Sequence, residues 1–321
     1  MPDPRSRFFP VRLHRTQSTF ILEWSVPESL APGPARTVVD ALRKTGDLTR
    51  LGHRAFTSLQ RLGRVIDDLE GVPPALFVFH VTRCGSTLLG RMLRSDPANR
   101  VFLEPRSLID LLLAFDHVVD RTLARSLFRT LVKAYGLGFE PGQQRLAFKL
   151  ASYCLFRCED MWEACPETSS AILYREPLEI MTALVREPAT WLYTDTPDMF
   201  CSLASITPDE MARLDIEQMV GLFLELAFRT ALDHADRFAW LLDYTQLPEA
   251  GYTLARDALG SELPAACAAV LTKHSKRPAE PFVRDSEEKR RLATASMTAF
   301  AAQRLRPLYA ELEGLRVGRT G

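Results

Sequence analysis

The residues best suited to chemistry lie in one short segment, HVTRCGST at positions 80–87, which follows an apolar run and precedes a helical pattern. Gly85 lets the backbone approach an anion closely, and Ser86 and Thr87 add hydroxyl donors. At the N-terminus of a helix, the free N–H groups and the helix dipole both favour negative charge. Arg83 adds a cation just before the glycine. These residue types and their order predict a loop that binds phosphate.

The spacing of this segment is close to the phosphate-binding pattern G-x-x-x-x-G-K-[ST], but His80 stands at the first glycine and Ser86 at the lysine. ATP-dependent phosphotransfer uses that lysine on the β- and γ-phosphates, together with Mg²⁺. Its absence favours a nucleotide donor without a γ-phosphate. Two alternatives stay open: a P-loop phosphotransferase that uses ATP, and a nucleotide-binding domain without catalytic activity. A plain helix-capping turn is the non-functional interpretation of the segment.

Short apolar runs and helical patterns alternate after residue 73 and predict the elements that position this segment. Five runs are typical of buried strands and lie at 75–80, 100–103, 145–150, 170–174 and 238–244. The helical patterns lie at 87–93, 106–135 with a break near 117–120, 155–164, 177–185, 208–233, 248–259 and 286–312. This alternation predicts an α/β fold in which helices flank a central parallel sheet.

The first part of the chain has a different pattern. We expect residues 1–72 to form a small N-terminal extension, a hairpin followed by helices, and residues 73–321 to form the α/β domain. Residues 8–13 and 20–24 mix apolar and polar side chains as hairpin strands do. Apolar residues at three- and four-residue steps predict helices at 35–45 and 49–69.

The segment 188–207 is rich in Thr, Asp, Pro and aromatic residues and has no clear period. Ordinary connections rarely exceed about 12–15 residues, so its length predicts a lid or an acceptor-binding loop. Trp191 and Tyr193 within it are candidates for stacking on adenine or on the acceptor.

The composition is that of an ordinary globular chain: 321 residues, 46% hydrophobic and 25% charged, with 40 basic and 40 acidic residues that give zero net charge. Proteins that bind nucleic acid are usually basic, so we expect no nucleic-acid partner. The six cysteines form no CxxC pair, which predicts reduced thiols and no metal site. We find neither a signal peptide nor an apolar stretch near the roughly 20 residues of a membrane helix. We therefore expect a soluble, cytoplasmic protein.

Taken in order along residues 73–260, five motifs resemble those of sulfotransferases that use 3′-phosphoadenosine 5′-phosphosulfate (PAPS). The unit RCGSTLL at 83–89 resembles the family's 5′-phosphosulfate loop. The other four are EPR at 104–106, AFKL at 147–150, AILYREPLE at 171–179 and LDYTQLPE at 242–249. They resemble in turn the catalytic Glu with its nearby Arg, the third-strand Lys, the unit that holds the 3′-phosphate, and the late Y-E-D-L-x-x-x-P segment. The resemblance implies the P-loop-like sulfotransferase architecture.

The chemistry that the resemblance implies is in-line transfer of a sulfuryl group from the co-substrate PAPS to a hydroxyl or amine acceptor, with no metal required. Glu104 would act as the general base. Arg83 and Lys149 would stabilise the transferring group and the leaving group. Arg106 would orient Glu104 or the sulfuryl group, or else form a structural ion pair. His80, beside the loop, is the other candidate base.

The resemblance also implies which residues bind the donor. Those of the loop, which would hold the 5′-phosphosulfate, are Arg83, Cys84, Gly85, Ser86 and Thr87. Arg175 would hold the 3′-phosphate, because a planar guanidinium can bind phosphate through two bonds. The family's helix serine falls at Ala183, so Thr182 would take its place.

Overall fold

The computed structural model describes residues 8–16, 19–27, 30, 33–115, 120–139, 142–189, 197–265, 267–272 and 285–318. The chain divides into two compact units. The first unit comprises Met1–Leu76, Pro97–Phe148 and Arg157–Thr168. The second unit comprises Phe77–Asp96, Lys149–Phe156 and Ser169–Gly321. The boundary expected at residue 72 stays a prediction.

A four-stranded antiparallel sheet opens the described chain and belongs to the first unit. Its strands are β1 (Phe9–Arg15), β2 (Phe20–Ser25), β3 (Thr49–Leu51) and β4 (Arg54–Ser58). They lie in the order β1-β2-β4-β3, and each neighbouring pair is antiparallel. β1 and β2 confirm the predicted hairpin.

The prediction of one helix over residues 49–69 is wrong for its first half. Residues 49–58 form the hairpin β3–β4, which turns at Gly52 with a φ of 61°. Only Leu59–Ile66 is helical. Strand β4 pairs with β2, and this pairing buries Ala55 and Thr57 on one face. Cross-strand pairing and burial of that face therefore decide the conformation.

A five-stranded parallel sheet with helices around it confirms the predicted α/β fold class. Its strands are β5 (Pro74–His80), β6 (Asn99–Leu103), β7 (Arg145–Lys149), β8 (Ser169–Tyr174) and β9 (Trp240–Asp243). Their order across the sheet is β6-β7-β5-β8-β9. Each strand overlaps one of the five predicted apolar runs.

The central strands are covered on both faces. Residues Leu76 to Phe79 of β5 and Ala171 to Tyr174 of β8 are fully buried, as continuous apolar runs in parallel strands require. The amide of Val81 donates to the carbonyl of Leu173 at 3.1 Å, so the pairing of β5 with β8 continues past the end of β5. The carboxyl ends of neighbouring parallel strands meet at one edge of a sheet. β6 and β7 lie on one side of β5, and β8 and β9 lie on the other, so the strand order changes direction between β5 and β8. Such an edge is where open α/β sheets build their sites.

The helices of the described residues follow the predicted alternation. They are α1 (Pro34–Lys44), α2 (Leu59–Ile66), α3 (Ser86–Arg94), α4 (Arg106–Leu113), α5 (Arg121–Gly136), α6 (Cys158–Ala164), α7 (Pro177–Arg186), α8 (Pro197–Ala204), α9 (Pro208–Arg213), α10 (Ile216–Asp233), α11 (Glu249–Leu259), α12 (Cys267–Leu271), α13 (Ser286–Arg291), α14 (Ala295–Phe300) and α15 (Arg306–Gly318). The helix expected over 208–233 is two helices, because Asp215 caps α10 through a reciprocal pair with Gln218.

The final helices belong to the second unit and contain a widened turn. A π-helical turn, Ala301–Leu305, joins α14 to α15. Pro307 follows this turn and has no N–H with which to continue an α-helical ladder, which accounts for the local widening. The ring of Phe300 packs on Gly221 of α10 so closely that a Cβ there would lie 2.7 Å from the ring.

Two tyrosine hydroxyls connect α15 to the sheet within the second unit. Tyr174, the last residue of β8, donates to Glu313 at 2.6 Å. Tyr309 donates to Asp243, the last residue of β9, at 3.0 Å. Both links lie at the carboxyl ends of strands, so α15 holds the edge of the sheet where the loop residues follow.

The segment predicted as a lid, 188–207, is only partly described. Helix α8 lies within it, contrary to the expectation of a segment without regular structure. Trp191 and Tyr193 lie outside the described residues. Among the residues that the structure describes, no helix is long and apolar enough to cross a membrane. All six cysteines carry free thiols.

Candidate active site

The loop between β5 and α3 has an unusual backbone, as expected for a tight anion-binding turn. Thr82 and Arg83 have φ angles of 70° and 46°, and Gly85 has a φ of 87°. Only glycine adopts this left-handed region without cost, so Thr82 and Arg83 are strained. The loop then enters α3 at Ser86, and Gly85 provides no side-chain cap for the first N–H groups of that helix.

His80 anchors the strained loop, and its hydrogen bonds argue against the predicted role as a base. Its Nδ1 accepts a hydrogen bond from the Thr82 amide at 3.0 Å. Its Nε2 therefore carries the proton and donates to the carbonyl of Leu150 at 2.9 Å. Both ring nitrogens are engaged and the residue is buried. The imidazole is a structural clamp that holds Thr82 in its left-handed conformation.

Gly85 is required by close packing as well as by its backbone angle. A Cβ at this position would lie 2.7 Å from the Tyr244 ring and 3.1 Å from Leu247. The Tyr244 ring also lies under the guanidinium of Arg175, at 4.0 Å from its centroid to Cζ. A single aromatic ring thus contacts both the loop and the arginine predicted to bind a second phosphate.

Cys84 is part of the loop, but its side chain points into the protein. The thiol is buried and donates to the carbonyl of Leu173 at 3.2 Å. Burial raises the pKa of Cys84 to about 12, although the positive charges of Lys149 and Arg175 oppose the shift. The thiol is therefore protonated and unreactive at neutral pH. This leaves only the backbone of Cys84 for the predicted role in donor binding.

Three of the predicted cations lie around the loop within the second unit. Lys149 ends β7 and is 2% exposed, and Arg175 follows β8 and is 4% exposed. Lys149 thus ends the strand beside β5, and Arg175 lies over the Tyr244 ring that packs on Gly85. Arg83 is more exposed and donates to the backbone carbonyl of Glu187, just after α7, at 2.7 Å.

Arg175 is held by a cluster of charged side chains. Its Nε donates to Glu179 at 2.7 Å, and its Nη2 donates to Asp285 at 3.0 Å and to Ser286 at 3.1 Å. Burial works against the charge of this guanidinium, but Tyr244, Asp285 and Glu179 raise the pKa of Arg175 above its ordinary value. It is therefore a permanent cation, and both Nε and Nη2 already have acceptors.

Two further cations complete this cluster, and we call the set Arg175, Glu179, Asp285, Lys289 and Arg290 the arginine cluster. Arg290 pairs with Glu179 at 2.6 Å, and Lys289 pairs with Asp285 at 2.8 Å. Burial and the charge of Arg175 lower the pKa of Lys289. The cluster contains three cations and two carboxylates, so it retains a net positive charge.

The hydroxyl-bearing residues have different surroundings. Ser86 is buried at the start of α3, and Thr87 is half-buried beside it. Thr182 is completely buried and donates to the carbonyl of Leu178, one turn earlier in α7, at 2.8 Å. Its role in place of the family's serine stays a prediction.

Glu104 and Arg106 belong to the first unit. Glu104 follows β6, is exposed and has a φ of 50°. Arg106 opens α4, and its Nε donates to Asp110 at 2.7 Å, a carboxylate that also accepts from the guanidinium of Arg12 at 3.2 Å. This contact favours the structural ion pair over an orienting role for Arg106.

The donor set around the loop fits the anionic groups of PAPS. Around the loop stand two buried cations, two hydroxyls and the first N–H groups of α3. The arginine cluster presents a second cationic surface, and PAPS likewise carries anionic oxygens at two places. Among the described residues, no group of three or more His, Cys, Asp or Glu side chains is arranged to hold a metal ion.

The sequence patterns do not predict two parts of this arrangement, the bridging position of Tyr244 and the contacts of Asp285 and Ser286 with Arg175. Tyr244 was noted only as part of a motif, and its bridging position cannot be derived from the pattern. Asp285 and Ser286 were not singled out, although Asp-Ser-Glu-Glu at 285–288 is a typical start of a helix. That signal predicts a cap and gives no hint that the carboxylate is bound to Arg175.

Three solved sulfotransferase structures are similar to this chain at low sequence identity. A sulfotransferase from Alicyclobacillus acidocaldarius is 16% identical, with a TM-score of 0.40, over 76% of this chain and 95% of that one. The sulfotransferase domain from the curacin biosynthetic pathway is 11% identical, with a TM-score of 0.43, over 73% of this chain and 98% of that domain. A sulfotransferase from Mycobacterium avium is 13% identical, with a TM-score of 0.38, over 83% and 91% of the two chains. No family model and no curated protein matches the sequence.

Proposed function

We propose that this protein transfers a sulfuryl group from PAPS to a hydroxyl or amine acceptor. The observation that supports the proposal most is the contact of the Tyr244 ring with both Gly85 of the loop and the guanidinium of Arg175, while Lys149 ends the strand beside β5. Lys149 and Arg175 bring two buried positive charges to this part of the second unit, and the arginine cluster keeps a net positive charge although Arg175 is paired with Glu179 and Asp285. A donor with a phosphosulfate and a separate phosphate would offset this charge.

The proposed reaction depends on positioned charge more than on covalent chemistry. When bound, the donor supplies an activated sulfuryl group, and negative charge develops on the oxygen that links it to the 5′-phosphate. Arg83 and Lys149 would stabilise that charge, and their fixed positions avoid the reorganisation that water would need. The half-buried hydroxyl of Thr87 and the amides of α3 would add hydrogen bonds.

Glu104 is the proposed general base for a hydroxyl acceptor. It would accept the proton of the attacking oxygen, so that negative charge does not build up on the acceptor. Its exposed carboxylate at the carboxyl end of a strand is accessible to an incoming molecule.

Calorimetric titration with adenosine 3′,5′-bisphosphate, ADP and ATP-Mg²⁺ tests the donor class. We expect the bisphosphate to bind at least about tenfold more tightly than ADP, because only it presents a phosphate to Arg175. A preference for ATP-Mg²⁺ would instead indicate a phosphotransferase. Absence of binding by all three nucleotides would contradict the proposal.

Turnover is tested separately, because a binding domain without activity would pass the titration. Release of adenosine 3′,5′-bisphosphate from PAPS is followed while phenols, amines and carbohydrates are offered as acceptors. Arg256→Gln, in an exposed ion pair of the second unit, is the matched control for Arg83→Gln. Loss of turnover in Arg83→Gln alone is the expected result, and equal turnover in both variants would remove Arg83 from the mechanism.

A further inference from the structure

Asp285 is a helix-capping residue that does not cap its helix. It stands at the N-cap position of α13, where aspartate normally accepts a hydrogen bond from the N–H groups of the first turn. No such bond is made, and the residue has φ −110° and ψ 15° instead of the extended angles usual for a cap. The carboxylate is instead turned toward Arg175 and Lys289.

In that position the Asp285 carboxylate occupies the cationic surface that an anion would need. One oxygen accepts from Arg175 Nη2 at 3.0 Å, and the other pairs with Lys289 Nζ at 2.8 Å. Although burial opposes it, Lys289 and Arg175 hold the pKa of Asp285 below its ordinary value. The group is therefore an anion at neutral pH, and a carboxylate between two cations resembles one edge of a phosphate.

The two carboxylates that accept from Arg175, Glu179 and Asp285, differ in accessibility. Glu179 is 3% exposed and is also bound by Arg290, so it is a fixed part of the cluster. The Asp285 side chain is 42% exposed, so one side of it faces solvent. If it leaves, Arg175 keeps Glu179 on Nε and Ser286 on Nη2, while Nη2 and the Lys289 ammonium lose their carboxylate partner.

We propose that Asp285 competes with a phosphate group for Arg175, and that phosphate binding drives the carboxylate to the N-cap of α13. This inference rests on the proposed function, because the phosphate in question is the 3′-phosphate of the donor. Capping would restore part of the free energy lost when the carboxylate leaves Arg175. The carboxylate would therefore have hydrogen-bond donors both before and after phosphate binds. Asp285 would thereby weaken the binding of every ligand that carries this phosphate and select against weaker anions.

The test compares wild type and Asp285→Asn by calorimetric titration with adenosine 3′,5′-bisphosphate and adenosine 5′-phosphate. Asparagine keeps the ability to cap a helix and removes only the charge. We expect the variant to bind the bisphosphate about tenfold more tightly, because a charge competing for the same cations has gone. Affinity for the 5′-phosphate, which does not reach Arg175, should stay within about twofold. An unchanged or weaker affinity for the bisphosphate would overturn the proposal.

Two additions separate this proposal from the donor assignment. Asp257→Asn removes an exposed aspartate that pairs with Arg256 in the same unit, and it should change the affinity for neither nucleotide.

If wild type binds no adenosine nucleotide, the proposed function fails, and inorganic phosphate then reports on the arginine cluster alone. Phosphate should raise the melting temperature of Asp285→Asn more than that of wild type. Equal responses would overturn the competition, and Asp285→Ser serves as the second variant if Asp285→Asn does not fold.

Discussion

Three residues other than glycine have left-handed backbone angles just after strands β5 and β6: Thr82 at 70°, Arg83 at 46° and Glu104 at 50°. This conformation costs a residue with a side chain about 1–2 kcal/mol. It persists only where the surroundings impose it, and it concentrates at functional sites. Arg83 and Glu104 are also the residues that we propose to act on the donor and on the acceptor. Backbone strain is thus a second reason, independent of residue type, to test them.

Glu104→Gln tests the proposed base at the residue level. Glutamine cannot accept the proton, so turnover should fall by about 10²–10⁴-fold for a hydroxyl acceptor. The affinity for adenosine 3′,5′-bisphosphate should not change, because the carboxylate acts on the acceptor. Turnover and calorimetry are measured on the same preparations, with Glu70→Gln, an exposed glutamate of the first unit, as the control. A parallel loss of nucleotide affinity would make Glu104 structural.

Gly85→Ala tests whether the loop needs its glycine. The new Cβ would meet Tyr244 at 2.7 Å, and alanine would also be strained at a φ of 87°. We expect a loss of about 1–3 kcal/mol in the free energy of unfolding and at least about tenfold weaker nucleotide binding. The matched control is Gly52→Ala, which has a φ of 61° but no atom within 4 Å of its new Cβ. Equal destabilisation of both variants would show that strain, not packing, explains the glycine.

The residues at the ends of strands were predictable, but their partners were not. Lys149 and Arg175 end apolar runs, and a local pattern is enough to place them. Asp285 lies 110 positions after Arg175, and no local pattern connects the two. The clamp by His80 escaped prediction for the same reason, because it depends on a loop backbone that only the folded chain defines.

At the scale of elements, spacing gave a wrong prediction where buried residues of a strand and of the following helix together recur at helical intervals. Ala55, Leu59, Leu62 and Ile66 are all buried and recur at helical spacing, yet the first belongs to a strand and the others to α2. Pairing with β2 separates the two, and pairing partners cannot be derived from spacing alone. The five parallel strands were predictable because buried parallel strands are continuously apolar over their whole length.

The junction of α10 with the final helices gives a prediction at this scale. Gly221→Ala would place a Cβ 2.7 Å from the Phe300 ring beside the π-helical turn, so Phe300 must move. We expect a loss of about 1–3 kcal/mol in the free energy of unfolding, measured by urea denaturation. Gly314→Ala in α15 meets open space and should instead be neutral or stabilise by up to about 1 kcal/mol. Similar effects of the two changes would mean that the helices do not pack as described.

For the whole molecule, buried carboxylates predict how stability depends on pH. Burial opposes the ionisation of Glu225, but hydrogen bonds from Arg304 and Arg229 outweigh it and lower its pKa below 4.5. The pKa of Glu313 is lowered in the same way, against burial, by Arg316 and Tyr174. A lowered folded-state pKa contributes stability above the ordinary value of 4.5, and this contribution disappears as the pH falls through the folded-state pKa.

The melting temperature should therefore be steady near neutral pH and fall as the pH decreases below about 4.5. Glu225→Gln should lower it at pH 7 and make the acid decline shallower, because one of the groups that must be protonated is gone. Scanning calorimetry from pH 7 to pH 3 measures both effects, with the exposed Glu311→Gln as the control. An acid decline as steep in Glu225→Gln as in wild type would contradict the assignment.

The ring of Tyr244 couples the loop to Arg175, and in the proposed function these two places would hold the two ends of the donor. Because the ring contacts Gly85 on one side and Arg175 on the other, a displacement at either contact reaches the other through one rigid body. The losses in nucleotide-binding free energy caused by Gly85→Ala and Arg175→Lys should accordingly be less than additive when the two changes are combined. Replacing Tyr244 with leucine should restore additivity. The site would then respond to a nucleotide as a cooperative whole, with little affinity for either half alone.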